Sequence, residues 1–145
     1  MKFYHATYRN NLQSILKEGL NPEIKEHNWK GYYVDNLIFL AFDPYTAIDF
    51  AKTADNYNKQ EIVVLEIDSK DINLKDLRYD WNVKCRTVRD INTIAYANKI
   101  IKFKVLTSED IDKARVVYDE DFKDVTDYLF NYFEEHVITD DKDAE

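Results

Sequence analysis

An α+β domain is what this sequence predicts, on three observations. Apolar segments of strand length recur along the chain, while segments with helical spacing are bunched near its beginning, middle and end. That order is not the strand–helix alternation of a regular βαβ protein. Neither a G-x-G-x-x-G nor a P-loop motif is present, which argues against Rossmann and P-loop nucleotide binding.

Residues 2–7, KFYHAT, read as a short strand ending in polar residues. Asn10 or Asn11 suits the N-cap of a following helix. Leu12, Ile15 and Leu16 recur at helical spacing, Gly19 sits where a C′ glycine stops a helix, and Pro22 marks the exit. Residues 21–36 are polar and aromatic and read as an ordered loop. Leu37 to Phe42 form a continuous apolar run, the pattern of a buried strand. Asp43-Pro44 is a strong helix start, an N-cap acceptor followed by a residue with no N–H to satisfy. Ala47, Ile48 and Ala51 then share one face.

Glu61 to Ile67 is a further strand, and residues 68–80 read as loop with a turn around Ile72 to Leu77. Residues 81–98 are ambiguous, although the alternation of Val83, Cys85 and Thr87 favours an edge strand. Lys99 to Leu106 alternates Ile101, Phe103 and Val105 with Lys102 and Lys104, as a strand does. Ser108 opens a short helical turn, and Ala114 to Tyr118 reads as a final strand. Residues 121–137 form an amphipathic helix with Phe122, Val125, Leu129, Tyr132 and Phe133 inward. The expected organisation is one domain over residues 1–138 with an acidic, disordered tail over 139–145.

Composition narrows the function. The 145 residues carry a net charge of −8, which disfavours general binding to phosphate backbones. Lys99, Lys102 and Lys104, with Lys84, Arg86 and Arg89, are the richest basic stretch, and a solvated strand face is the simplest reading of it. The single Cys85 forms no internal disulfide, and His5, His27 and His136 are too dispersed for a ligand motif, so no metal site is expected. No apolar run approaches the ~18 residues of a membrane span, and MKFYHATYRN lacks the apolar region of a signal peptide. A cytoplasmic location is the expectation. Heavy use of Asn, Lys, Ile, Tyr and Asp is what AT-rich coding produces, as in bacteriophages and low-GC bacteria.

Two segments carry a resemblance. Tyr4-His5-Ala6-Thr7 followed by Ile15-Leu16-Lys17-Glu18-Gly19-Leu20 resembles the opening of the ADP-ribosyltransferase superfamily, poly(ADP-ribose) polymerase-like and RNA 2′-phosphotransferase-like members included. There an aromatic-His-Gly-Thr strand end precedes a helix reading Ile-Leu-x-x-Gly-Leu. Ile38-Phe39-Leu40-Ala41, with Ala47 and Phe50-Ala51, is similar to the family's second strand and helix. The spacing between the two segments is also usual for the family.

The resemblance implies small split antiparallel or mixed sheets with flanking helices around an NAD-type cleft. It implies NAD as substrate, or an ADP-ribose-like ligand. His5 takes the place of the histidine that bonds a ribose hydroxyl. Ala6 stands for the glycine whose main chain pairs with the nicotinamide carboxamide, and Thr7 matches the family threonine. Phe39 lies where an aromatic stacks on the nicotinamide ring, with Tyr33 and Tyr45 as nearby alternatives. A carboxylate that stabilises positive charge on the ribose is expected at the start of a strand within residues 86–98. Asp90 is the only carboxylate between Arg86 and Ile94, and Asn92 aligns about as well. Read without the resemblance, His5 is a structural strand-end residue, Phe39 a core side chain and Asp90 a solvated turn residue. The functional expectation is transfer of ADP-ribose to a macromolecule, a protein rather than a nucleic acid. The alternative is a catalytically degenerate module of the same fold, holding a nucleotide-like ligand or a partner protein, from a phage or a bacterial defence or counter-defence system.

Overall fold

The computed structural model describes residues 1–22, 37–53, 58–80 and 92–144. Its elements in chain order are β1 (Lys2–Tyr8), α1 (Arg9–Glu18), β2 (Ile38–Ala41), α2 (Pro44–Lys52), β3 (Ile62–Asp68), β4 (Leu77–Tyr79), β5 (Thr93–Tyr96), β6 (Lys104–Val105), α3 (Ser108–Lys113) and α4 (Glu120–Ala144). The strands form one six-stranded sheet in the order β4-β5-β2-β1-β3-β6. Every neighbouring pair is antiparallel, so among the described residues the fold is α+β with one antiparallel sheet, where small split antiparallel or mixed sheets were expected.

Side chains alternate between the two faces of each strand, and each face packs its own helices. On one face Phe3, Leu40, Leu65, Ile67, Ile94 and Tyr96 bury against Ile15, Leu20, Val125 and Leu129, which brings α1 and α4 onto the sheet. On the other face Tyr4, Ala41 and Val64 bury against Ala47 of α2, with Ile48 and Ile111 of α3 at the margin. The sequence pattern explains the division. Val125 and Leu129 are four apart on α4 and lie on one stripe, and both are fully buried.

The turns carry the expected chemistry in two places. Asp43 accepts from the Thr46 N–H at 2.9 Å and from its hydroxyl at 2.6 Å, capping α2. Gly19 closes α1 at φ +82°, and a Cβ there would sit 2.8 Å from the Ile100 carbonyl oxygen.

Elsewhere the structure departs from the expectations. Helix α1 starts at Arg9 with Tyr8 as its cap residue, not at Asn10 or Asn11. Strand β1 runs straight into it, since the Arg9 N–H still bonds the Glu61 carbonyl of the neighbouring chain segment. Leu77–Tyr79 is a strand where loop was expected, because three residues are too few for alternation to show. Of the strand expected over 99–106, only Lys104–Val105 pairs with β3. Ile100 instead exchanges both main-chain hydrogen bonds with Leu20, and Ile101 is left 69% exposed. Ala114–Tyr118 has strand-forming residues but joins no ladder among the described residues. Helix α4 continues through Ala144, across the acidic stretch expected to be disordered, because each added residue gains a hydrogen bond once the helix is nucleated.

Candidate functional site

Strands β1 and β3 pair over their whole length, from Lys2↔Asp68 to Tyr8↔Ile62. On its other edge β1 meets β2 at one register position, Tyr4↔Ala41. Beyond it the sheet parts.

The groups that face the parting follow from the parity of the ladders. The Ser69 N–H bonds Met1 and the Arg9 N–H bonds Glu61, so odd-numbered residues of β1 turn their main-chain groups to β3. The N–H and C=O of Ala6 are therefore directed towards β2. The Phe42 N–H bonds Asn92 beside β5, so Phe39 and Ala41 turn theirs towards β1. Ala6 and Phe39 would form the next pair after Tyr4 and Ala41, and β1 and β2 do not pair there. Instead His5 Nδ1 lies 2.8 Å from the Phe39 carbonyl oxygen.

A carbonyl oxygen only accepts, so Nδ1 carries the proton in this contact and Nε2 of the neutral ring is the acceptor. Burial lowers the His5 pKa from its ordinary value, and the bond to Phe39 opposes that shift. The ring is consequently neutral at physiological pH. His5 keeps part of its surface accessible, as do Ala6 and Phe39, while Thr7 is buried. The Asn11 amide of α1 donates to Thr7 Oγ1 at 3.2 Å and ties the end of β1 to the helix.

Phe39 differs from its neighbours. Ile38, Leu40 and Ala41 are buried, whereas Phe39 is half-buried and belongs to neither core cluster. Alternation places the His5 side chain on the α1/α4 face and the Ala6 and Phe39 side chains on the α2/α3 face.

Tyr45 is 52% exposed in the first turn of α2, and its hydroxyl donates to Asp112 of α3 at 2.9 Å. That bond raises its pKa and engages the hydroxyl with α3. Tyr33 and Asp90 lie outside the described residues, as do Val83, Cys85 and Thr87. Strand β5 begins at Thr93, so the exposed residue that leads into it is the amide Asn92. Of the basic stretch, Lys102 lies 3.9 Å from Asp71 and Lys104 3.8 Å from Asp110, while Lys84, Arg86 and Arg89 lie outside the described residues.

The sequence singles out His5 but carries no signal for what holds it. Its partner is a main-chain oxygen, which no side-chain pattern signals; only the apolar run placed Phe39 on an adjacent strand. Among the described residues no cluster of His, Cys, Asp or Glu is arranged to hold a metal ion, and no helix is long and apolar enough to cross a membrane. No protein-family model, curated protein or solved structure matches the chain.

Proposed function

We propose that this chain is an ADP-ribosyltransferase-like domain that binds NAD in the parting between β1 and β2 and transfers ADP-ribose to a protein acceptor. The observation that carries this reading is the parting itself, with His5 anchored to the Phe39 carbonyl where the next strand pair is missing. The main-chain donor and acceptor of Ala6 match the two hydrogen-bonding groups of a carboxamide. Neutral His5 offers Nε2 as an acceptor for a ribose hydroxyl. The half-buried Phe39 ring offers a face for the nicotinamide.

In the transfer, the bond between nicotinamide and ribose breaks and its electron pair leaves on the nicotinamide nitrogen. Positive charge grows on the ribose. A nucleophile of the acceptor then forms the new bond to the same carbon and releases its proton. Asp90 supplies the carboxylate that stabilises the growing charge, an effect on the order of 10²–10³ in rate for one such group. The test is nicotinamide release from labelled NAD in the presence of candidate protein acceptors. Wild type should release it, and Asp90→Asn, which keeps the shape and removes the charge, should lose most of that release. Equal release by both assigns the chemistry to another residue.

A second reading is favoured by Asn92. The position leading into β5 holds an amide rather than a carboxylate, and an amide cannot stabilise a cation by charge. On this reading the domain binds NAD or an ADP-ribose-like ligand and does no chemistry. Binding without nicotinamide release distinguishes it.

A further inference from the structure

Arg115 to Tyr118 has the composition of a strand but belongs to no helix or strand. Arg-Val-Val-Tyr is rich in β-branched and aromatic residues, and the chain enters it extended, with Ala114 at φ −65°, ψ 136°. The Ala114 N–H closes α3 on the Ile111 carbonyl, and the Lys123 N–H bonds the Asp119 carbonyl beyond the segment. Among the described residues, the main-chain groups from the Arg115 N–H to the Tyr118 C=O have no main-chain partner. Val117 is 54% and Tyr118 79% exposed, although both are apolar enough to favour cover. A row of unpaired N–H and C=O groups flanked by such side chains is a template for another strand.

The sequence of the segment specifies which strand. Laid antiparallel against itself about Val117, the segment sets Arg115 of one copy opposite Asp119 of the other, at both ends. Val117 meets Val117 at the centre, and Val116 meets Tyr118. Opposite charges and aromatic–β-branched pairs directly across an antiparallel ladder are the stabilising combinations. Among the described residues the Arg115 guanidinium donates through Nη1 alone, to the Asp112 and Ala114 carbonyls, which leaves its other nitrogens for an ion pair. Asp119 caps α4 through Oδ1 and accepts from the Met1 α-amino group through Oδ2 at 3.4 Å, with 40% of its side chain still exposed to meet a second cation. The Tyr118 ring is already oriented by an edge contact with Phe122 at 4.8 Å.

We infer that residues 115–119 form an isologous interface in which two copies of this chain pair as antiparallel strands about a two-fold axis through Val117. Such an interface closes on itself and needs no second patch. One short strand pair covers less area than a stable dimer normally buries, so the association is weak and concentration-dependent. It is independent of the proposed NAD site.

Sedimentation equilibrium over a wide concentration range tests this on three chains. Wild type should move from the mass of one chain towards that of two as concentration rises. Val117→Lys places two like charges together on the axis and should remain monomeric; Val117→Asn, which adds no charge and leaves the exposed position polar, should dimerise more weakly than wild type. Leu16→Lys changes another exposed apolar residue, 61% exposed on α1, and should behave as wild type. Circular dichroism confirms that each is folded. A wild type that stays monomeric throughout, a Val117→Lys variant that dimerises like wild type, or equal loss in Leu16→Lys overturns the inference.

Discussion

The imidazole Nδ1 of His5 lies 2.8 Å from the main-chain oxygen of Phe39, across the line where β1 and β2 stop pairing. A side chain thus occupies an acceptor that the ladder would otherwise use. The contact selects one tautomer and leaves the Ala6 main chain facing the parting. Several consequences are measurable.

His5 should make stability fall on mild acidification. Its native pKa is lowered from 6.5, chiefly by burial, so between the two values the unfolded chain binds more protons than the native one. Stability then rises with pH through that interval and is complete above the unfolded value. Urea unfolding on either side of the ordinary histidine value should show a loss on the acid side for wild type and a smaller loss for His5→Gln. Identical pH dependence in both would remove the argument.

Gly19→Ala should destabilise the fold by roughly 1–3 kcal/mol, as forced left-handed backbone does elsewhere. The new Cβ meets the Ile100 oxygen at 2.8 Å, and Leu20 and Ile100 exchange two hydrogen bonds next to it. Thermal unfolding of the variant reads this directly.

Leu129→Ala should cost about 2–5 kcal/mol, the range for deleting a fully buried leucine. Leu129 is 0% exposed between α4 and the sheet. Phe130→Ala, one residue on and 48% exposed, should cost far less.

Asp43→Ala should cost about 1 kcal/mol, the usual loss for an N-cap acceptor, because it removes the 2.9 Å bond to the Thr46 N–H. Asp43→Asn should recover most of it, since the amide oxygen accepts in the same place. Paired denaturation curves decide.

Legibility in the sequence followed local signals. Asp43-Pro44, Gly19 and the stripe Val125/Leu129 are each specified within a few residues, and each stands where expected. Pairing is not local. Ile101 lies in a stretch that alternates from there on and Val117 in a β-branched and aromatic run, yet whether they join a sheet depends on who is free to pair with them. Ile100 is taken by Leu20, and Val117 finds no partner within the described residues. The candidate site divides in the same way. His5 was expected at the end of its strand, but β1 continues through Tyr8 and places it mid-strand; its bond to Phe39 and the direction of the Ala6 main chain emerge only once β1 and β2 are side by side.

Calorimetric titration of NAD into wild type and His5→Gln tests the central claim most directly. Wild type should bind NAD in one-to-one ratio. His5→Gln, shown by circular dichroism to be folded, should lose that binding, because the acceptor for the ribose hydroxyl and the link that orients the parting go together. Absence of heat with both NAD and ADP-ribose, or equal affinity in the two proteins, would contradict a nucleotide site between β1 and β2.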